Sequence, residues 1–273
     1  MTATRKALLI GLDCAAPELM FHRFLHRLPN IRRMMRRGVH GRLESCDPPI
    51  TIPAWMVMAT SRSPGSLGLY GFRHRRGHSY RDIWIASSRS IHEKKIWDYV
   101  AEAGGKSCLV AVPPSYPPYP VEGCLIGCFI TPDTKRDYTY PPELRVEIEE
   151  LVGEYLPDVE FRIEDKRGLI KGIYEMTEKR FEVVKHLMRT RDWSFFMLVE
   201  IGLDRVHHAF WKYFDERHHL HQPGSEFETV VEDYYAYLDE KVGELLELID
   251  DDTVVLIASD HGGKRMKLSL IHI

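Results

Sequence analysis

The sequence predicts an α/β fold, a mostly parallel sheet with helices on both faces. Three apolar runs carry that prediction: Ala7–Leu12 (ALLIGL), Phe195–Leu203 (FFMLVEIGL) and Thr253–Ser259 (TVVLIAS). Short runs rich in Val, Ile, Leu and Phe read as strands buried on both faces of a sheet. Between them lie segments whose apolar residues recur with helical spacing, and strands alternating with helices give a doubly wound sheet.

Ala7–Leu12 is the first strand. The segment His22–Gly38 carries six arginines. A helix from about Pro29 to Arg37 puts Ile31, Met34 and Met35 on one face and arginines on the other, and Gly38 ends it. A turn-rich stretch then leads into a short helix from about Pro53. Ile91–Ala103 reads as a helix stopped by Gly104-Gly105, and Ser107–Val112 and Cys124–Ile130 read as strands. Residues Thr131–Lys166 are polar and punctuated by proline, which suits a cap inserted over the sheet edge. Lys171–Thr190 and Glu226–Ile249 have the 3.6-residue period of long helices. No repeat, low-complexity tract or linker divides residues 1–273, so a single domain is expected.

Composition narrows the function classes. Hydrophobic residues make up 44% and charged residues 28%, the balance of a soluble globular chain. A formal net charge of -3 is no polyelectrolyte signature, so neither a nucleic-acid polymer nor a membrane surface is indicated as partner. Five cysteines with no CxxC pair point to a reducing compartment. The first apolar stretch is too short for a signal peptide or a membrane span, so a cytoplasmic location is expected.

Each of the three apolar runs ends in an aspartate: Asp13, Asp204 and Asp260. His208 stands four residues after Asp204, and His261 follows Asp260 directly. Ligands of open α/β sheets bind beyond the carboxyl ends of the strands. Five oxygen and nitrogen donors could therefore converge on one sheet edge, the composition of a site for two divalent metals. A second feature is Pro48-Pro49-Ile50-Thr51-Ile52-Pro53-Ala54-Trp55. Thr51 sits at a helix entry, where free backbone N–H groups and the positive end of the helix favour an alkoxide and a bound phosphate.

Together these features resemble the type I phosphodiesterase/nucleotide pyrophosphatase family of the alkaline phosphatase superfamily. The resemblance rests on IGLD at Ile10–Asp13, TIPAW at Thr51–Trp55, PGSLGLYGF at Pro64–Phe72, DRVHHAFW at Asp204–Trp211 and SDHGGKRM at Ser259–Met266. It implies an alkaline-phosphatase-like three-layer sandwich with its C-terminal part missing. It also implies a metal-dependent phosphoester hydrolase that acts on a small phosphodiester or nucleotide pyrophosphate through a phosphoryl-threonine intermediate at Thr51. Asp13, Asp260 and His261 are then expected to hold one metal, which also binds the Thr51 oxygen, and Asp204 with His208 the second. Zinc is the expected ion, and manganese or iron is compatible. Arg73, Arg75 and His207 are candidate substrate-binding residues. A phosphomonoesterase, a phosphotransferase, and an inactive metal- or anion-binding remnant are the alternatives.

The sequence departs from the family pattern in several places. The family often has His where Leu67 stands, and Gly where Cys14 and Ser61 stand. The sulfatase branch needs a CxPxR-like motif, and Cys46-Asp47-Pro48-Pro49-Ile50 lacks the arginine. The family also continues well past the DHG motif, with a later histidine that completes the second metal site. Here LSLIHI does not resemble the family and is one translation of a transposon-end adapter. Lys267–Ile273 is therefore expected to be a non-native tail, and the second site to lack its third ligand. His272, in that tail, is the only histidine after His261.

Overall fold

The computed structural model describes residues 5–265. The expected tail Lys267–Ile273, with His272, lies outside the described residues. Strand β1 (Ala7–Leu12) leads into helix α1 (Pro29–Arg37), then α2 (Thr51–Thr60) and the single turn α3 (Pro64–Leu67). A small antiparallel hairpin follows, β2 (Arg73–Arg75) with β3 (Ile83–Ile85). Next come α4 (Ile96–Glu102), β4 (Ser107–Val110), β5 (Gly123–Ile126), β6 (Thr139–Tyr140) and α5 (Leu144–Val152). The long helix α6 (Lys166–Thr190) precedes β7 (Phe195–Glu200), α7 (Gly202–Phe214), α8 (Val230–Leu246) and β8 (Val254–Ala258).

The main sheet has the order β6-β5-β4-β7-β1-β8. All its pairings are parallel except β5 with β6. β1 is flanked by β7 and β8, which accounts for its unbroken apolar run: both faces and both edges are covered. Its side chains alternate between two cores. Leu8, Ile10 and Leu12 pack with Phe24, Ile31, Phe181, Leu203, Phe210 and Leu238 on one side. Leu9 packs with Ile52, Trp55, Met56 and Trp97 on the other. Helices α1, α6, α7 and α8 thus cover one face and α2 and α4 the other, the three-layer arrangement expected from the sequence.

Several boundaries differ from the sequence reading, each for a local reason. The first-turn N–H groups of a helix have no intrahelical acceptor, so Pro53 fits inside the first turn and α2 starts at Thr51 instead of Pro53. α4 starts at Ile96, five residues after the expected Ile91, where the Asp98 carboxylate accepts the Lys95 N–H and fixes the entry. The strand expected to reach Val112 ends at Val110 because Ala111 turns into the left-handed region, with φ 57°. Residues 131–166 supply β6 at the sheet edge and α5, which packs against α6.

Candidate active site

The sheet register brings the expected residues together. Leu12 lies opposite Glu200, and Gly11 lies opposite both Val199 and Ala258, so β1, β7 and β8 end level with one another. Asp13 follows β1, Asp260 lies just beyond β8, and Asp204 stands in the first turn of α7, directly after β7. Thr51 opens α2, whose N-terminus has no side-chain cap.

Three local devices hold these termini. After Asp13 the chain turns sharply at Cys14, with φ 65°. The Cys14 N–H then donates to Asp260 Oδ1 at 3.1 Å, and the Ala15 N–H to Ser259 Oγ at 2.9 Å. These bonds fasten the β1 loop to the β8 loop. Beyond β7, the Glu200 carboxylate accepts from the Gly202 N–H at 2.7 Å, Thr177 Oγ1 at 3.1 Å and Arg180 Nη1 at 2.9 Å. This buried, fully paired carboxylate sets the entry of α7, and so the place of Asp204. Gly202 is required there, since a Cβ would lie 1.8 Å from Tyr234 Oη. Gly11 is required too, because a Cβ would lie 2.5 Å from the Trp55 ring.

The carboxylates share one pattern: one oxygen is tethered and the other is left over. Trp55 Nε1–H donates to Asp13 Oδ2 at 2.8 Å, while Asp13 Oδ1 is buried without a partner. Cys14 N–H holds Asp260 Oδ1, while Asp260 Oδ2 is likewise buried and has no hydrogen-bond partner. Arg205 Nη1 donates to Asp204 Oδ2 at 2.6 Å, and Asp204 Oδ1 faces His208 Nε2 at 3.4 Å. His261 Nε2 lies 3.3 Å from Asp260 Oδ2, 3.7 Å from Asp13 Oδ1 and 3.2 Å from Thr51 Oγ1.

Unpaired buried carboxylate oxygens are costly unless a cation meets them. The Asp13 carboxyl is accordingly pushed well above the ordinary range, by burial first and then by the charges of Asp260 and Asp204. Burial likewise raises Asp260 to about 7, against the pull of the Cys14 N–H. Asp204 behaves differently. Burial opposes its ionisation, yet His208 and Arg205 hold it below the usual value. Ligand atoms of Asp13, Asp260 and His261 all lie within 4.8 Å of one another, the one such trio among the described residues. Two orphaned carboxylate oxygens and an imidazole nitrogen suit a divalent cation. Asp204 and His208 form a neighbouring pair outside that trio.

The remaining candidates fall elsewhere. His207 is buried, with Nδ1 3.3 Å from Cys14 Sγ and its ring against Trp211 and Tyr235. Burial lowers its pKa to about 3, so it stays neutral beneath the site. Arg73 and Arg75 lie on the exposed strand β2, and Arg75 stacks 3.9 Å over Tyr80. Among the described residues neither arginine has a hydrogen bond or ion pair to the carboxylates. The sequence reading did not single out Trp55, Arg205 or Asp158 as side chains of the site. Trp55 did carry a signal, since it stands one helical turn after Thr51 in TIPAW.

The family whose sequence model matches is described as "Type I phosphodiesterase / nucleotide pyrophosphatase", and the match runs over residues 7–273. The chain belongs to this family. No curated protein matches it. Among solved structures it is similar to the phosphonoacetate hydrolase of Sinorhizobium meliloti 1021. The complex with phosphonoacetate gives a TM-score of 0.65 and the complex with phosphonoformate 0.64, both at 17% identity. Each match covers 95% of this chain and 56% of the hydrolase chain. The chain thus spans little more than half the length of those structures, and the likeness shows the fold alone, the alkaline-phosphatase-like sandwich expected from the sequence. Among the described residues no helix is long and apolar enough to cross a membrane.

Proposed function

We propose that the chain is a cation-dependent phosphodiesterase or nucleotide pyrophosphatase that transfers the phosphoryl group of a small phosphoester to Thr51 and then to water. The observation that carries this reading is the meeting of Thr51 Oγ1, His261 Nε2 and two half-unpaired carboxylates at the head of α2. Asp13, Asp260 and His261 would hold one divalent cation, and Asp204 with His208 a second, more weakly held one. The mixed oxygen and nitrogen donors favour zinc. Bound cations supply charge neutralisation at the phosphoryl oxygens and lower the pKa of a hydroxyl or water beside them.

The chain's own residues do the rest. α2 presents the Thr51 hydroxyl from its first position, where free backbone N–H groups point toward a bound anion. Thr51 Oγ attacks phosphorus, the P–O bond to the alcohol or phosphate leaving group breaks, and the threonine proton leaves with that group or to solvent. Water then attacks the phosphoryl-threonine and regenerates the hydroxyl. Trp55, on the same helix as Thr51, hydrogen-bonds Asp13 and so ties the nucleophile to a cation ligand.

Thr51→Ala tests this reading. The variant should lose nearly all turnover of a bis-aryl phosphodiester while its zinc content stays unchanged, and Thr51→Ser should retain part of the turnover. An alanine variant with parental turnover would sink the covalent mechanism.

A further inference from the structure

Arg205 holds a position that a helix does not provide unaided. Neighbouring residues on a helix point about 100° apart and do not face each other. Arg205 nevertheless folds back so that Nη1 reaches Asp204 Oδ2 at 2.6 Å. Contacts from other parts of the chain keep it there. Asp158 takes its guanidinium fork, with Nε to Oδ1 at 2.7 Å and Nη2 to Oδ2 at 2.6 Å. Phe161 lies 4.4 Å from the guanidinium carbon and Phe129 lies 5.3 Å away. The Phe161 ring also packs against His208, with centroids 5.3 Å apart. Residues 158–161 therefore touch both members of the Asp204–His208 pair, one through Arg205 and the other directly.

We propose that Arg205 is a positioning residue, clamped by Asp158 so that Asp204 offers a single carboxylate oxygen, beside His208, to a divalent cation. The proposal rests on the cation-dependent reading above and names what makes its weaker half-site competent. It also makes that half-site depend on the segment 131–166, which lies far from Asp204 in sequence. A bidentate fork is a matter of shape as well as charge. Lysine keeps the charge but cannot span both oxygens of Asp158 while reaching Asp204. Charge alone acts in the opposite direction, since a guanidinium beside a cation ligand repels the cation. The two roles therefore part at Arg205→Lys, where a charge role leaves the affinity unchanged and a positioning role loses it.

The test is calorimetric titration of zinc into chelator-stripped wild type, Asp158→Asn and Arg205→Lys, with urea unfolding as a check on folding. The wild type should show a stronger and a weaker binding event. In both variants the weaker event should lose about tenfold in affinity or more, the usual effect of removing a residue that orients a metal ligand. The stronger event, at Asp13, Asp260 and His261, should change by less than about threefold, as expected for a site whose own orienting bonds are intact. An Arg205→Lys chain with wild-type affinities would overturn the proposal, as would a weaker event that tightens in Asp158→Asn. A single event in the wild type also overturns it while leaving the reaction at Thr51 standing. A wild type that binds no zinc sinks the cation-dependent reading itself.

Discussion

The sharpest consequence of the site is that its empty form is destabilised by its own carboxylates, and Asp260→Asn isolates the effect. Asp260 is buried, with a pKa near 7 against an ordinary 3.8. A carboxyl whose folded pKa is raised binds more protons folded than unfolded between those two values. Its stabilising contribution is therefore present below 3.8 and lost as pH rises through 7. A displacement of about three pKa units, at 1.36 kcal/mol each, amounts to about 4 kcal/mol at pH 8 and under about 2 kcal/mol at pH 5. Asparagine keeps an acceptor for the Cys14 N–H at Oδ1 and places an amide where Oδ2 was unpaired. Urea unfolding in chelator should then show the variant more stable than wild type at pH 8, by up to about 4 kcal/mol, with most of the gain gone by pH 5. Zinc at a hundredfold its dissociation constant should stabilise wild type by about 2.7 kcal/mol and the variant by much less. A variant that is less stable than wild type at pH 8 without metal, yet equally stabilised by zinc, would refute the reasoning.

Other expectations follow from the same geometry. Zinc binding at pH 6.5 must displace the protons that burial leaves on Asp260 and Asp13, so a weakly buffered solution should acidify, and no acidification would place the cation elsewhere. Ser61 ends α2 with φ 55°, so Ser61→Gly should stabilise by about 1 kcal/mol in thermal unfolding, with turnover unchanged. Arg180 is fully buried and pairs with Glu200, so Arg180→Met leaves that carboxylate uncompensated and should cost about 3–5 kcal/mol in urea unfolding. Gly11→Ala meets the Trp55 ring and Val199 and should cost about 1–3 kcal/mol, read as a lowered melting temperature.

What the sequence made legible follows from how each feature is encoded. Strands buried on both faces must be apolar throughout, so β1 and β7 stand out as runs; β8 is as apolar but lies at the sheet edge with Val254 and Leu256 exposed, and the three run ends mark Asp13, Asp204 and Asp260. Helical period does the same for α1, whose bounds Pro29–Arg37 agree with the reading. The two positions where the family often carries glycine, Cys14 and Ser61, prove to be left-handed turns with φ 65° and 55°. The departure there is from a backbone preference, and the donors are untouched. Other features carry no local code. The spacing from Asp204 separates His208 from its neighbour His207, but the packing of His207 under the loop against Cys14 has no local signal. The clamp on Arg205 joins residues 47 apart, and the Trp55–Asp13 bond joins residues 42 apart. Neither periodicity nor turn chemistry reports contacts of that range.

The half-tethered carboxylates show why the orienting residues escape a reading built on ligands alone. A carboxylate at a strand end can bond through either oxygen, and a free one would satisfy itself with the nearest donor. Here the nearest donors are an indole, a backbone amide and a guanidinium, each taking one oxygen of Asp13, Asp260 and Asp204 respectively. What remains is Asp13 Oδ1 and Asp260 Oδ2, neither with a hydrogen-bond partner, set beside the Thr51 hydroxyl and the His261 imidazole, whose Nε2 lies 3.7 Å from the first and 3.3 Å from the second. A fold selected for stability alone would pair those atoms or replace them with apolar groups. Their survival in a buried cluster is what the proposed cation site requires.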